Sequence, residues 1–232
     1  MNNFSKKSAA IILAAGIGSR MGCEKTKQTI EIFGKSVLKH TLLAFDRADC
    51  VDEIVVVCRE NEQCFVNKEL HEISKASRSV IGGKCRAESA FLGFSAISSD
   101  VEYVLVHDAA RCLVTPEEID SVAKAAYEFG AATASLAVAD TIKLCENGMT
   151  VKTVPRNNLR SMQTPQAFFV KLYAQALQKV GMLDETITDD NTLLEKIGIS
   201  SYCVDTLPTN IKITTSHDLE LAEFILSKRK GI

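Results

Sequence analysis

Short apolar runs alternate along the chain with stretches of helical periodicity. Ile11-Ile12-Leu13 reads as a buried strand, and Ala14-Ala15-Gly16 turns out of it. Ser36 stands at a helix cap, followed by Val37, Leu38, Leu42 and Phe45 at helical spacing. Residues 54–58 predict a second strand, 60–75 a weaker helix, and Val80-Ile81 a short strand closed by Gly82-Gly83. A helix is expected over 88–97 and a strand over 103–106. Thr115-Pro116-Glu117-Glu118 combines a Thr cap, Pro at the first helical position and Glu three residues after the cap. That helix reaches about Phe129, Gly130 ends it, and 132–138 form the next strand.

This alternation predicts an α/β fold: a mostly parallel sheet with right-handed crossovers and helices on both faces. Such sheets bind ligands at the carboxyl ends of their strands. Three polar loops fall there: Gly16-Ile17-Gly18-Ser19-Arg20, Gly82-Gly83-Lys84-Cys85-Arg86 and His107-Asp108-Ala109-Ala110-Arg111. Residues 140–158 break the alternation. They carry Asn147-Gly148 between two strand-like runs and predict a protruding β-arm. A lone hairpin is marginal in water, so the arm is expected to pack on a second copy of the chain. Beyond it come a helix over about 169–180, one opened by Thr188-Asp189-Asp190, a strand over 201–204, the segment 210–214 and a last helix to Lys228. Without repeat or linker, 1–232 reads as one domain that includes the arm, 139–160.

Composition narrows the class. At 232 residues, 46% hydrophobic and 24% charged, the chain can bury a sizeable core, and disorder is not expected. No run approaches the ~20 apolar residues of a membrane span. Lys6, Lys7 and the apolar run 9–15 imitate a signal peptide but lead into a loop without a cleavage site. The expectation is therefore a soluble cytoplasmic protein that binds neither membrane nor nucleic acid. None of the eight cysteines forms a Cys-x-x-Cys pair, so they read as small apolar fillers. Charge is uneven. Residues 1–28 hold five cations against Glu24 alone, a net of +4 in a chain of net −2. A cationic head on an acidic body suits a small anionic ligand near the first loop.

The loops constrain the chemistry further. A dinucleotide fingerprint needs a third glycine where Met21 stands, and a Walker loop needs an absent Gly-Lys-Ser/Thr. What remains is either a glycine loop whose amides wrap a phosphate chain, helped by Arg20, Lys25 and Lys27, or a tight turn with exposed cations. Asp108, next to an apolar strand, suits a Mg²⁺ ligand, an acceptor for sugar hydroxyls or a loop hydrogen bond. Arg111 can fork a phosphate or pair with Asp108. His107 reads as structural and Cys23 as a bystander. Nothing points to covalent catalysis.

In this order, the loops resemble the 2-C-methyl-D-erythritol 4-phosphate cytidylyltransferase family. The matching pieces are Leu13-Ala-Ala-Gly-Ile-Gly-Ser-Arg-Met21, Lys27-Gln28, Gly82-Gly83-x-x-Arg86-x-x-Ser89 and His107-Asp-Ala-Ala-Arg111. Arg156-Asn157, Gln163-Thr-Pro-Gln166, Thr188-Asp189 and Asn210-Ile-Lys-Ile-Thr214 complete them. The resemblance implies a Rossmann-like nucleotidyltransferase fold, a homodimer with interlocked arms, and Mg²⁺-dependent transfer of CMP from CTP in non-mevalonate isoprenoid synthesis. It implies that Ala14, Ala15, Gly16, Gly18, Gly82, Gly83, Arg86 and Ser89 hold CTP, with Asp108 serving the metal or the ribose. Arg20 and Lys27 would stabilise the transition state. Arg111, Thr164 and Thr188 would contact the sugar phosphate. Lys212 would act there too, and Arg156 from the partner's arm, both within the catalytic set.

Four positions depart from the family pattern: Thr26 and Cys112 where proline is usual, Lys84 where an acid often stands, and Pro155 before the arm's Arg-Asn. The nearest rival, ribitol 5-phosphate cytidylyltransferase, tends to read Ala-Gly-Gly and Ala-Val-Arg. Ala14-Ala15-Gly16 and Ala109-Ala110-Arg111 favour the methylerythritol acceptor. A non-catalytic nucleotide-binding module and a dinucleotide oxidoreductase are the remaining alternatives.

Overall fold

A computed structural model describes residues 6–16 and 26–230. Its centre is a twice-covered sheet whose strands alternate the faces they serve. In β1 (Ser8–Leu13), Ala10 and Ile12 enter one core while Ile11 enters the other, the period of two expected of a strand buried on both sides. β4 (Glu53–Cys58) and β6 (Tyr103–Asp108) flank β1 in parallel and are buried throughout. Helices α1 (Val37–Arg47), α2 (Gln63–Leu70) and α4 (Pro116–Phe129) cover one face. Helices α3 (Arg86–Phe94), α5 (Val170–Val180) and α6 (Asp190–Glu195) cover the other.

The caps form as the sequence suggests. Ser36 accepts a hydrogen bond from the Lys39 amide, and Thr115 and Glu118 close a reciprocal capping box at α4. Gly130 ends α4 at φ +83°, a left-handed conformation open to glycine.

Among the described residues the sheet has seven strands. With β5 (Ala76–Ile81), β7 (Ala131–Ala137), β10 (Arg160–Phe169) and β11 (Tyr202–Asp205), the order is β11-β7-β10-β6-β1-β4-β5. All neighbours run parallel except β10, which is antiparallel to both β6 and β7. The sequence pattern misses β10 because Met162-Gln163-Thr164-Pro165-Gln166 is polar and holds a proline, which cannot donate to a ladder. The structure accommodates it where the β10–β7 register shifts between Met162 and Gln166. Two boundaries also differ from expectation. The helix foreseen over 60–75 is a 3₁₀ turn, Glu60–Glu62, followed by α2, which stops at Leu70. The chain is needed beyond it for β5, the strand expected at Val80-Ile81, which starts earlier, at Ala76, because Arg78 and Ser79 hide its first half from a hydropathy pattern.

Two small sheets stand apart. β2 (Glu31–Ile32) and β3 (Lys35–Ser36) form a hairpin ahead of α1 that joins a third apolar cluster with Cys112, Leu113, Ile213 and α7 (Ser216–Lys230). β8 (Ile142–Glu146) and β9 (Met149–Val154) are the foreseen arm, turned by Asn147 and Gly148 at φ +50° and +79°.

Candidate functional site

The carboxyl ends of β1, β4 and β6 open onto a trough built from three connected clefts. The first, about 350 Å³, is lined by Ala15, Gly16, Gly82, Gly83 and Ser89, with Cys58 and Arg59 at its wall. The second, about 280 Å³, shares Ala15, Gly16 and Ser89 with it and adds Lys27, Arg86, Asp108 and Lys212. The third, about 130 Å³, shares Arg86, Asp108 and Lys212 with the second and adds Arg111, Thr164, Thr188 and Asp189.

Local packing explains the glycine turn. A Cβ on Gly82 would lie 2.8 Å from Ala15 Cβ and 2.9 Å from Ser89 Oγ, so only glycine lets the β5–α3 turn approach the first loop. Ser89 Oγ accepts from the Gly83 amide at 3.1 Å and donates to the Cys85 carbonyl at 2.9 Å, bracing the turn. Gln28 donates to the carbonyls of Ala14 and Gly16, which ties the start of the first loop to the Lys27–Thr29 turn.

Charge concentrates where the second and third clefts meet. Asp108 accepts from Arg86 Nε at 3.2 Å on Oδ1 and from Lys212 Nζ at 2.6 Å on Oδ2. Burial alone would raise its pKa, but Arg86 and Lys212 hold the carboxyl well below the usual carboxylate range. Arg86 also donates through NH1 to Asp190 Oδ2 at 2.7 Å. Burial lowers the Arg86 pKa, and Asp190 and Asp108 more than restore its charge. Its other terminal nitrogen, NH2, is buried without a hydrogen-bond partner among the described residues, as is Arg111 Nε. Both are buried donors without an acceptor, on side chains that line the trough.

His107 is fully buried, and burial depresses its pKa to about 3. Its Nε2 lies 3.3 Å from the Arg111 carbonyl, which can only accept, so Nε2 carries the proton. Nδ1 then accepts from the Thr164 hydroxyl at 3.1 Å, and that hydroxyl accepts from the Asp108 amide at 3.1 Å. His107 is a neutral strut, not a base.

The trough brings together Ala15, Gly16, Gly82, Gly83, Ser89, Lys27, Arg86, Asp108, Arg111, Thr164, Thr188 and Lys212. Ala14 sits behind it, its carbonyl held by Gln28. Gly18 and Arg20 lie outside the described residues. Arg111 takes neither Asp108 oxygen; its NH1 donates to the Asn210 carbonyl at 2.9 Å. Arg156 lies in a 3₁₀ turn after the arm and donates to the Ala139 carbonyl of its own chain, away from the residues lining the trough. Sequence reasoning gave no role to Asp190, Gln163 or Asn210. Gln163 Oε1 accepts from Asn210 Nδ2 and Thr206 Oγ1, both at 2.9 Å, and Asn210 also donates to the Thr164 carbonyl. The sequence marks Gln163 and Asn210 only by their place inside the matched pieces, and Asp190 only as part of a helix start.

A family model described as IspD, 2-C-methyl-D-erythritol 4-phosphate cytidylyltransferase, matches residues 8–228. The chain belongs to this family. A 2-C-methyl-D-erythritol 4-phosphate cytidylyltransferase from Alkaliphilus oremlandii is 40% identical, over 99% of each chain. One from Halalkalibacterium halodurans is 41% identical over 96% of this chain and 98% of the relative. Among solved structures, the 4-diphosphocytidyl-2C-methyl-D-erythritol synthase of Anaerococcus prevotii superposes with a TM-score of 0.85 at 31% identity, covering 96% of this chain and 99% of that one. Within the described residues, no helix of this family member is long and apolar enough to cross a membrane.

Proposed function

We propose that the protein transfers CMP from CTP to 2-C-methyl-D-erythritol 4-phosphate, giving 4-diphosphocytidyl-2-C-methyl-D-erythritol and pyrophosphate in non-mevalonate isoprenoid synthesis. The observation that carries this reading is the continuity of the trough. A glycine-lined cleft suited to a nucleotide continues through the second cleft into an arginine- and threonine-lined one suited to a sugar phosphate, and Arg86, Asp108 and Lys212 stand in the walls of both the second and the third. Family membership over residues 8–228 supports the same reaction.

In this reaction an acceptor phosphate oxygen attacks the α-phosphorus of CTP. A new P–O bond forms, the bond to the β-phosphate oxygen breaks, and pyrophosphate leaves with that electron pair. The acceptor is already an anion near neutral pH, so no strong base is required, which agrees with a neutral His107. The task is to bring two polyanions together and offset charge at a five-coordinate phosphorus. Lys27, Arg86 and Lys212 supply cations along the second cleft, and Arg111 and Thr188 line the acceptor end. Arg20, in the matched first loop, would join Lys27.

Among the described residues no cluster of three or more His, Cys, Asp or Glu side chains forms a metal cage. A single carboxylate suits Mg²⁺, which keeps waters and takes substrate phosphate oxygens. Asp108 would hold it, and the chemistry it supplies when bound is charge neutralisation on the triphosphate.

The working unit proposed is a cytoplasmic homodimer in which the whole chain acts as one nucleotidyltransferase domain. Pairing in the arm puts Ile142, Leu144, Met149 and Val154 on one face together with Lys152 and Glu146, and Leu144 and Met149 are 50% and 73% exposed. A second copy would cover those exposed apolar side chains and receive Arg156 at its acceptor cleft.

The test is pyrophosphate release from CTP and Mg²⁺ with methylerythritol 4-phosphate and ribitol 5-phosphate side by side. Turnover with the first alone is expected. Turnover with ribitol 5-phosphate alone would keep the chemistry and reassign the acceptor.

A further inference from the structure

The transfer point is built from an alternating row of charges that continues past the trough. Lys212, Asp108, Arg86 and Asp190 follow one another at 2.6, 3.2 and 2.7 Å. The last member is not in the cavity wall. Asp190 is 1% exposed, and Oδ1 accepts from the hydroxyl of fully buried Tyr173 at 2.6 Å. Its amide donates to Gln166 Oε1 at 2.9 Å, and the preceding Asp189 caps α6 through the Thr192 amide. Asp190 is therefore fixed from three elements: α5, α6 and β10.

We propose that Asp190 is a positioning residue for CMP transfer and acts through Arg86. A guanidinium is a planar fork, so tying Nε to Asp108 and NH1 to Asp190 sets its plane and leaves NH2 as the donor without an acceptor. Without Asp190, Arg86 has one carboxylate left. The favoured geometry is then a two-pronged pair with Asp108 through Nε and NH2, which turns the guanidinium out of its plane and competes with Lys212 for the same carboxylate. Burial of an ion pair is a poor source of stability by itself. A buried Asp190 beside a cation that faces two clefts fits a role in aiming that cation. The proposal rests on the transfer point lying where the second and third clefts meet. A group aimed there acts on the reacting phosphorus, so its loss lowers kcat more than it raises either KM.

The experiment is steady-state kinetics on the full-length protein with Asp190→Asn, Arg86→Ala and the double variant, each checked by thermal melting. Asparagine keeps the size of Asp190 and an acceptor for Tyr173. Asp190→Asn is expected to lower kcat about tenfold or more, with KM for CTP and for methylerythritol phosphate changed less than about threefold. In the Arg86→Ala background it should add less than about twofold. The same loss in both backgrounds, or a rise in both KM values at constant kcat, would overturn the positioning role. An unchanged kcat in Arg86→Ala alone would instead sink the placement of the transfer point. If Asp190→Asn does not fold, Tyr173→Phe removes one hydrogen bond and keeps the charge. A loss of about twofold that vanishes without Arg86 is then expected, and one that persists overturns the proposal.

Discussion

The charged row at the strand ends and the β8–β9 arm are both polar, yet they are held in opposite ways. Around Asp108 nearly every donor and acceptor is engaged by side chains from β6, β10, α3, α5 and α6, and Asp190 and Thr164 are almost wholly buried. The arm is exposed along almost all of both strands, and Lys143 to Thr153 is a bond within the hairpin. Chemistry on a phosphorus atom tolerates little positional error, so its groups are fixed by the fold. On the homodimer proposed above, the arm is left open because a second copy is to cover it.

The sharpest break of this contrast is at the buried end. Lys27→Ala and Asp108→Asn are each expected to lower turnover about 100-fold or more, the scale of losing one electrostatic group in a transition state. A loss below fivefold in both, by pyrophosphate release, would remove the transfer step from this cluster. At the arm, Arg156→Ala should raise KM for the sugar phosphate about tenfold with KM for CTP unchanged, as for one lost charge-assisted hydrogen bond. If the arm serves the partner's site, mixing Lys27→Ala with Arg156→Ala protein should restore part of the activity; no restoration counts against a shared site. Met149→Lys replaces the most exposed apolar side chain of the arm with a charge and should shift sedimentation from dimer toward monomer at assay concentration.

These two regions also differ in how far the sequence discloses them. The arm is a local event: Asn147-Gly148 sits between two strand-like runs, and both residues take the positive φ that a two-residue turn demands. Asp108 and Arg111 are visible because they follow an apolar strand whose carboxyl end faces the ligand crevice. The partner of Arg86 is not visible, because Asp190 lies 104 positions away and reads simply as part of a helix start. Thr164 illustrates the same limit. Its place in Gln163-Thr-Pro-Gln166 suggests a substrate contact, and the bonds of its hydroxyl to His107 and the Asp108 amide, 57 and 56 positions away, leave no mark in the sequence. Strand β10 is hidden for a different reason: Pro165 and its polar neighbours suppress the hydropathy pattern, while burial between β6 and β7 overrides it.

The smallest effect is expected at Asp218 in the first turn of α7, six residues beyond Lys212 and outside the residues that line the trough. Burial pushes the Asp218 carboxyl up, but bonds from Thr214 and Thr215 outweigh it and hold its pKa at about 2. The unfolded chain titrates near 4, so this stabilisation is complete above that pH and disappears as pH falls towards 2. Asp218→Asn should therefore lower Tm by a few degrees at pH 7 and by less at pH 3.

The position of β10 also bears on how the chain is made. Its neighbours β6 and β7 precede it in synthesis, and each has a bare edge until residues 160–169 arrive between them. Bare strand edges are templates for pairing with other chains. A ribosome-bound chain stopped before residue 160 is thus expected to recruit chaperones and to be cut readily within β7. Release of residues 160–169 should protect β6 and the inner edge of β7, and the outer edge of β7 closes only when β11 follows at residues 202–205.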